Sequence, residues 1–358
     1  MALLPPLKWL GLRAERQAPM TNPTELFLPL LTHPDLLVRR QSSLVLLSTH
    51  GMRGLTYLRR LLDAPSAAVR ADARAALVAV AETSGVHVEL QPFRGIYVRC
   101  LGELQVFING REVTSQHWAQ DGGGRAGARK TQGLFAFLIH CGQRGANRAE
   151  IATAVWTGPV GPSNLSRALG GVRDLLVQLG SPELAAQALN VSREHIILNP
   201  AMYQSDADML ERTLNVACQH EQHEGLGAAV PLYHQVVSLY DGSYMEAVPR
   251  GSDWGRERRD LLANAFLLAS ERLAEHTFNL GHYRQCLAHC RRALAVDPAA
   301  EDMVTWLLQV YEQLGLAVDA DQVYHQYLDV AGIDPLGEPE DTVVQTYEAI
   351  RNEATGRA

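Results

Sequence analysis

Residues 98–113 read VRCLGELQVFINGREV, and this stretch decides what the middle of the chain can fold into. Two runs rich in β-branched and aromatic residues, the second ending at Ile108, are followed by Asn109-Gly110. Asn-Gly favours a type I′ turn because both central residues of that turn need a positive φ. The stretch therefore predicts short antiparallel strands joined by a tight hairpin.

Three helices are predicted after these strands. We place the first at residues 129–141, with an apolar side supplied by Leu134, Phe135, Phe137, Leu138 and Ile139. The second covers residues 148–156 and begins with a capping box, since Asn147 is a favourable N-cap and Glu150 lies three residues later. The third begins at Ser163. Its apolar residues lie three or four positions apart and so share one face: Leu165, Leu169, Val172, Leu176 and Leu179.

A second hairpin closes this part of the chain. Residues 189–191 and 196–198 are apolar runs of strand type, and Ser192-Arg193-Glu194 separates them. Strands, three helices and a terminal hairpin make a winged helix-turn-helix, which reads DNA with its third helix and its hairpin. We place this domain at residues 94–200.

Residues 21–85 contain two similar units. HPDLLVR at 33–39 is matched by APSAAVR at 64–70, so the Pro, Val and Arg positions repeat after 31 residues. Five leucines follow helical spacing: Leu44, Leu47, Leu58, Leu61 and Leu62. The pair resembles short HEAT-type helical hairpins. Because solenoid repeats need about three units for stability, we expect it to pack on the neighbouring domain or on another chain. Residues 1–20 are predicted to be an N-terminal tail.

Residues 205–358 are predicted to be all-helical. One spacing pattern of small and aromatic residues occurs three times, as Ala229/Tyr233/Val236, as Cys286/Cys290/Ala293 and as Ala320/Tyr324/Tyr327. The last two sets are 34 residues apart, which is the tetratricopeptide period. The first two are 57 residues apart, which indicates an insertion around residues 239–256.

With these motifs in place, the sequence resembles a known family. Residues 98–113, 129–138 and 150–156, with the helix after Pro162, resemble an OmpR-type winged helix, and residues 205–358 resemble a bacterial transcriptional activator domain. This order is similar to that of transcriptional activators of the Streptomyces-antibiotic-regulatory-protein (SARP) type; the HEAT-like front is not part of the usual layout. We therefore expect a mainly α protein with a small α+β domain: HEAT-like hairpins, a winged helix-turn-helix and a tetratricopeptide-like all-α superhelix.

The charge changes sign between the two halves. Residues 1–204 hold 21 basic and 14 acidic residues, a net charge of +7, whereas residues 205–358 hold 11 basic and 25 acidic residues, a net charge of −14. The basic half suits a polyanion and the acidic half repels one. We treat the acidic residues after 205 as a solvated surface.

Candidate DNA-binding residues follow from the winged-helix reading. The outward side chains near the start of the third helix are expected to reach base edges, with Arg167 able to donate two hydrogen bonds to guanine. Arg129 and Lys130 are expected to bind phosphate, and Arg193 at the wing tip to enter the minor groove. The full set is Arg129, Lys130, Ser163, Asn164, Ser166, Arg167, Arg173 and Arg193.

These expectations combine into one function and one alternative. The resemblance implies a DNA-binding transcriptional regulator, an activator, whose helical repeats bind RNA polymerase, another protein or a second copy of the chain. The alternative is an adaptor of helical repeats around a winged helix that no longer binds DNA. Two features favour it: the third helix contains only two arginines, with Asp174 on its outward face, and Gly170-Gly171 weakens its interior.

Other signals are weaker. The sequence from Gly124 to Thr131 departs by one residue, Arg129, from a phosphate-binding loop, and a flexible Gly-rich loop over residues 119–128 is the better reading. His282, Cys286, His289 and Cys290 share a helix face, yet both cysteines occupy small buried repeat positions, so we expect no metal. No catalytic triad or carboxylate pair can be singled out. We expect no enzymatic activity, no cofactor and no membrane span, and the scattered odd cysteines favour the cytoplasm.

Overall fold

The computed structural model describes residues 27–49, 51–62, 64, 66–84, 88, 90, 95–119, 124–158, 161–248, 253–334 and 340–356. The predicted N-terminal tail lies outside the described residues. Among those described, helices dominate, and the strands form one four-stranded sheet and one two-stranded hairpin. This confirms the expected mainly α fold with a small α+β part.

Four helices form the N-terminal module: α1 (Leu28–Leu31), α2 (Leu36–Thr49), α3 (Gly51–Leu61) and α4 (Ala67–Ser84). The module has its own hydrophobic core, separate from the rest of the chain. The repeated arginines make equivalent contacts, because Arg39 Nη1 donates to the carbonyl of His33 at 2.9 Å and Arg70 Nη1 to that of Ala64 at 2.6 Å. Each arginine thus closes the loop that precedes its own helix, which explains why it recurs with the repeat.

One leucine of the predicted helical faces points away from this core. Leu47 and Leu58 are buried, but Leu44 is 45% exposed. The module does not stand alone, since α2 and α3 pack against α11 (Leu226–Leu239) of the C-terminal part. The neighbouring domain therefore supplies the support that two short repeats need.

The central sheet is built from β1 (Ile96–Arg99), β2 (Gln105–Ile108), β3 (Arg111–Glu112) and β6 (Tyr203–Ser205), in the order β3-β2-β1-β6. The β2–β3 turn has φ of 47° at Asn109 and 79° at Gly110, as a type I′ turn requires. Strand β6 pairs in parallel with β1. The sheet therefore continues past the predicted boundary at residue 200.

The described residues between β3 and β6 include five α-helices and a hairpin: α5 (Ser115–Trp118), α6 (Gly124–Cys141), α7 (Arg148–Val155), α8 (Pro162–Leu179), α9 (Pro182–Ala188), β4 (Leu189–Val191) and β5 (Ile196–Leu198). The predicted flexible loop over 119–128 is wrong for residues 124–128, which form the first turn of α6. The Oγ1 of Thr131 donates to the Gly127 carbonyl inside this helix at 3.2 Å. The phosphate-loop interpretation needs a loop that wraps the phosphate before the Lys130-Thr131 pair, and a segment that is already helical from Gly124 does not provide one.

Two further helix starts show how local signals work. Asn147 caps α7 as predicted, because its side chain accepts from the amides of Ala149 and Glu150 while the Asn147 amide donates to the Glu150 carboxylate at 2.8 Å. Helix α9 was not predicted, although Ser181 caps it and Pro182 occupies its first turn. Those signals, serine followed by proline, are ordinary helix-start signals that the sequence already contained.

Where the structure describes it, the C-terminal part contains seven helices: α10 (Asp206–Glu224), α11, α12 (Arg256–Asn279), α13 (Tyr283–Leu294), α14 (Glu301–Leu314), α15 (Ala317–Ala331) and α16 (Thr342–Gly356). Successive helices pack on one another, as in a superhelix of hairpins. All nine positions of the predicted repeat pattern are buried, which confirms the alignment of the three units.

The sheet and the C-terminal helices share one core. The segment between α11 and α12, predicted as an insertion, lies along the end of β1: the Met245 amide donates to the Cys100 carbonyl at 2.7 Å and the Gly102 amide to the Ser243 carbonyl at 3.0 Å. The insertion therefore adds a backbone connection between the two parts.

Candidate nucleic-acid interface

Helix α8 presents two opposite faces. The five predicted apolar residues are buried, and they pack toward α5, α6 and α9. The side chains of Ser163, Asn164, Ser166 and Arg167 are exposed on the other side of its N-terminal half, with Arg173 farther along. The outer face therefore remains open to solvent.

The start of α8 suits an anionic ligand. Gly161 occupies the N-cap and brings no side chain to the first-turn amides, and Pro162 holds the first helical position. Helix N-termini attract phosphate through exposed amides and the helix dipole. The exposed Ser163 and Asn164 side chains lie at this same end.

The predicted wing corresponds to the β4–β5 hairpin, which has Arg193-Glu194 at its tip, and we keep the name wing for this hairpin. The Ser192 amide donates to the His195 carbonyl at 2.9 Å, and the Ser192 hydroxyl accepts from the His195 amide at the same distance. These bonds fix a two-residue tip and leave Arg193 exposed. Glu194 is exposed beside it and offsets part of its charge.

Backbone pairing fixes where the wing lies. Ala146, just before α7, exchanges two backbone hydrogen bonds with Ile196, at 3.0 and 2.9 Å. The approach requires glycine at position 145, where φ is 62° and a Cβ would lie 2.4 Å from Cγ1 of Ile197. The wing is thus anchored to the turn before α7, where the predicted helix-turn-helix begins.

Arg173 lies beside the groove between α8 and the base of the wing. Together with Val177 it lines one wall of an open groove, and α9 and β4, including Asn190 and Val191, line the other. The outer face of α8 and the base of the wing therefore border the same groove, as a surface that follows a duplex requires.

The predicted cations differ in their surroundings. In the part of the chain that the structure describes, Arg129, Arg167, Arg173 and Arg193 are exposed and make no ion pair or hydrogen bond with other protein groups. Lys130 is different: its ammonium donates to the Val155 carbonyl at 2.7 Å. That bond joins α6 to the C-terminal end of α7, where a cation is favourable.

Two features work against DNA at this surface. Asp174 is exposed on α8 next to Arg173, and Glu194 is exposed at the wing tip. The charges of these two acidic residues make the net positive charge of the surface small. The two glycines of α8 do not lie fully on its outer face, since Gly170 is half-buried and Gly171 is buried.

Sequence reasoning missed the residue that joins this domain to the C-terminal helices. Asp206 is fully buried, and its carboxylate accepts from the amides of Cys100 at 2.7 Å and Leu101 at 3.2 Å. Burial, the Asp206 charge and the hydrogen bond to it raise the pKa of the Cys100 thiol well above its usual value. The prediction that acids after residue 205 form a solvated surface is wrong here.

An aromatic cluster completes this junction. The ring of His140 on α6 lies 4.8 Å from that of Trp254 and 6.0 Å from that of Tyr244, and the Arg258 guanidinium lies 5.2 Å from the Tyr244 ring. Burial, with help from nearby arginines including Arg258, lowers the pKa of His140 to about 4. The imidazole is therefore neutral at pH 7.

The His and Cys pattern of residues 282–290 lies on α13 and its N-cap. Cys286 and Cys290 are buried, and the His289 ring packs 5.6 Å from that of His234 on α11. Among the described residues, no three His, Cys, Asp or Glu side chains are placed to hold a metal. None of the described helices is both long and apolar enough to cross a bilayer.

Comparison with known proteins assigns one part of the chain. Residues 205–351 match the model of the bacterial transcriptional activator domain. Among solved structures, Mycobacterium tuberculosis EmbR in complex with a low-affinity phosphopeptide is similar, with 17% sequence identity and a TM-score of 0.56. The similarity covers 73% of this chain and 66% of EmbR, so the chain spans just under two thirds of the length of EmbR. At this level of identity, the similarity supports the fold alone. No curated protein matches the chain.

Proposed function

Because the chain carries a bacterial transcriptional activator domain over residues 205–351, as its resemblance to SARP-type activators predicts, we propose that it is a transcriptional regulator that binds promoter duplex DNA. In this proposal α8 lies in the major groove, and the wing approaches the adjacent minor groove or the backbone. The helical repeats bind a protein, and RNA polymerase fits this role. The protein acts as an activator in the cytoplasm.

The observation that carries the proposal is that the exposed arginines of α8 and the wing make no ion pair with other described residues. Arg173 on α8 lines the open groove beside the base of the wing, and neither it nor the exposed Arg167 and Arg193 makes an ion pair with another described residue. Among the described residues, the helices that pack most closely on α8 are α5, α6 and α9, and none of them belongs to the N-terminal module or to the C-terminal helices. Unpaired arginines on an open helix face are what base and phosphate contacts use.

The proposed roles differ between residues. Arg167 lies in the second turn of α8, near the end that carries the base-reading side chains, and reads a guanine. Ser163, Asn164 and Ser166 make the shorter contacts at the same end. Arg129 binds phosphate. Lys130 holds α6 against α7, and its remaining donors contribute to phosphate binding.

The acidic helical part suits a protein partner better than DNA. Its net charge of −14 keeps its surface away from phosphate, so the duplex is directed to the winged helix. The rigid connection through Asp206 and the 240–248 segment holds the two binding surfaces in a fixed relation. A regulator that presents a protein partner at a fixed place on a promoter needs such a connection.

A selection experiment tests the proposal. The full-length protein is used to retain fragments from a sheared genomic library, and the retained sequences are compared with input. We expect enrichment of a defined motif by the parent, reduced discrimination by Arg167→Ala, and parent-like enrichment by Arg111→Ala. Arg111 is an exposed arginine on the edge strand β3, outside the proposed interface.

The adaptor alternative has its own observation, the exposed Asp174 and Glu194 beside the arginines. It predicts no enrichment by the parent at any salt concentration. Retention that is equal for parent and Arg167→Ala would contradict the assigned role of α8.

A further inference from the structure

The two ends of the helical array differ in how they meet solvent. In helical solenoids the terminal units need a polar outer face. At the C-terminal end, α16 provides one, since its exposed positions include Gln345, Glu348, Arg351 and Asn352. At the other end, where the N-terminal module continues the array from α11, α2 exposes leucines instead.

The exposed leucines of α2 form a stripe. Leu37 and Leu44 lie seven residues apart on one helix face and are 61% and 45% exposed. Arg40 lies between them, exposed and without a partner among the described residues. We call the stripe of Leu37, Arg40 and Leu44 the α2 face. It is apolar with a positive centre.

A second apolar feature lies at the turn between α14 and α15. Residues 314–318 read LGLAV and all five are exposed, with Val318 at 80%. Five consecutive exposed apolar residues are unfavourable unless they have a function. We call residues 314–318 the apolar turn. Glu312 and the exposed Asp319 flank it.

The apolar turn has a defined shape. Gly315 adopts a φ of 67°, its amide donates to the Glu312 carbonyl at 3.0 Å, and the Leu316 amide donates to the Tyr311 carbonyl at 2.8 Å. This pair of bonds is a Schellman motif, which fixes the end of a helix. The exposure of Leu314, Leu316 and Val318 is therefore built into the fold.

The two surfaces complement each other in charge. Residues 27–84 hold seven basic and four acidic residues, a net charge of +3, and residues 312–356 hold one basic and ten acidic residues, a net charge of −9. An apolar surface in a basic environment and an apolar turn in an acidic one suit each other. Both are on the same polypeptide, so a second copy of the chain presents a complementary surface to each.

We propose that copies of this chain associate head to tail, with the apolar turn of one copy on the α2 face of the next. Such an interface is heterologous, because it joins two different patches and leaves one of each free on every pair. It uses the N-terminal module that SARP-type activators ordinarily lack, and it does not depend on DNA binding.

Sedimentation of the full-length protein tests the association. The parent should shift from monomer to larger species as its concentration rises. Leu37→Glu places a carboxylate where the acidic turn docks, and Val318→Lys places an ammonium where the basic module docks. Each should weaken association at least about tenfold. Leu261→Glu and Val216→Lys, at exposed apolar positions of α12 and α10, are matched controls and should associate like the parent.

Mixing the two variants separates head-to-tail from other arrangements. Leu37→Glu retains an intact turn and Val318→Lys an intact α2 face, so an equimolar mixture should form a complex of two chains although each variant alone stays monomeric. Circular dichroism establishes that both are folded. A parent that stays monomeric at all concentrations, or Leu37→Glu alone losing association while Val318→Lys keeps it, would overturn the proposal.

Discussion

Asp206 shows how one residue determines the relation between two domains. Its buried carboxylate takes hydrogen bonds from the amides of Cys100 and Leu101, and from the Cys100 thiol at 2.9 Å. A buried carboxylate is tolerated when such donors surround it. The carboxylate therefore adds a side-chain link between the end of β1 and the start of α10, beside the backbone pairing of β1 with β6.

Replacing Asp206 tests this role. In Asp206→Ala the two amides lose their acceptor in a buried place, and we expect the free energy of unfolding to fall by about 2–4 kcal/mol. Urea denaturation measures it. Asp260→Ala, at an exposed position of α12, should change stability by less than about 0.5 kcal/mol. Equal stabilities of the two variants would contradict a structural role for Asp206.

His140 gives the junction a pH dependence. Burial is the first cause of its lowered pKa of about 4, and the charges of Arg258, Arg144 and Arg259 add to it. The unfolded chain binds a proton near pH 6.5 and the folded chain does so only near pH 4. Stability is therefore present in full above pH 6.5 and falls as pH drops toward 4.

The corresponding variant is His140→Phe, which keeps a ring against Trp254 and cannot be protonated. We expect its melting temperature to fall less than that of the parent between pH 7 and pH 5, as measured by thermal denaturation at several pH values. His223→Gln, on the exposed surface of α10, should follow the parent. Parallel curves for the parent and His140→Phe would remove His140 as the cause.

Among elements, the wing depends on the turn before α7. Gly145 and Gly142 both have positive φ, 62° and 53°, so alanine is strained at both. Only at 145 would a Cβ meet other atoms, with the Ile196 carbonyl oxygen at 2.8 Å and Ile197 Cγ1 at 2.4 Å. The difference between the two positions isolates the contact that holds the wing.

We expect Gly145→Ala to be less stable than Gly142→Ala by about 1–3 kcal/mol because the alanine methyl displaces β5. Hydrogen exchange of the Ile196 amide, which donates to the Ala146 carbonyl, reports on wing attachment directly. It should be faster in Gly145→Ala only. Similar exchange in both variants would show that the wing is held elsewhere.

Elements with strong local signals were predictable from the sequence. The Asn109-Gly110 turn, the capping box at Asn147, the apolar face of α8 and the small residues of the helical repeats all follow from short-range rules. The early start of α6 was not predicted, since Gly124 and Gly127 favour a loop locally and tertiary packing overrides that preference.

At the scale of the whole molecule, the contacts between residues far apart in the chain could not be predicted from the sequence. Strand β6 is three residues long and pairs with β1 across more than 100 residues, and the 240–248 segment contacts the end of β1 from a stretch that is neither helix nor strand. Short parallel pairs carry no alternating pattern of their own. The exposed arginines of α8 could be identified from the sequence. The hydrogen bond from Lys130 to the Val155 carbonyl could not, because it exists only through the packing of α6 on α7.

These connections predict how the molecule unfolds. The central and C-terminal parts share one core, whereas the N-terminal module has a core of its own. We expect hydrogen exchange to show equal protection across β1, α10 and α12 and a lower, separate protection for α2–α4. Asp206→Ala should lower the protection of β1 and α10 together. Independent loss of β1 and α10 protection would contradict a shared unit.

The proposed function is tested most directly by the salt dependence of duplex affinity for the full-length protein. The slope of log affinity against log salt falls by roughly 0.9 for each phosphate contact removed. We predict a reduced affinity and a shallower slope, by about one unit, for Arg129→Ala, with Arg111→Ala unchanged. A parent that binds no duplex at low salt, or an Arg129→Ala slope equal to that of the parent, would contradict the proposed interface.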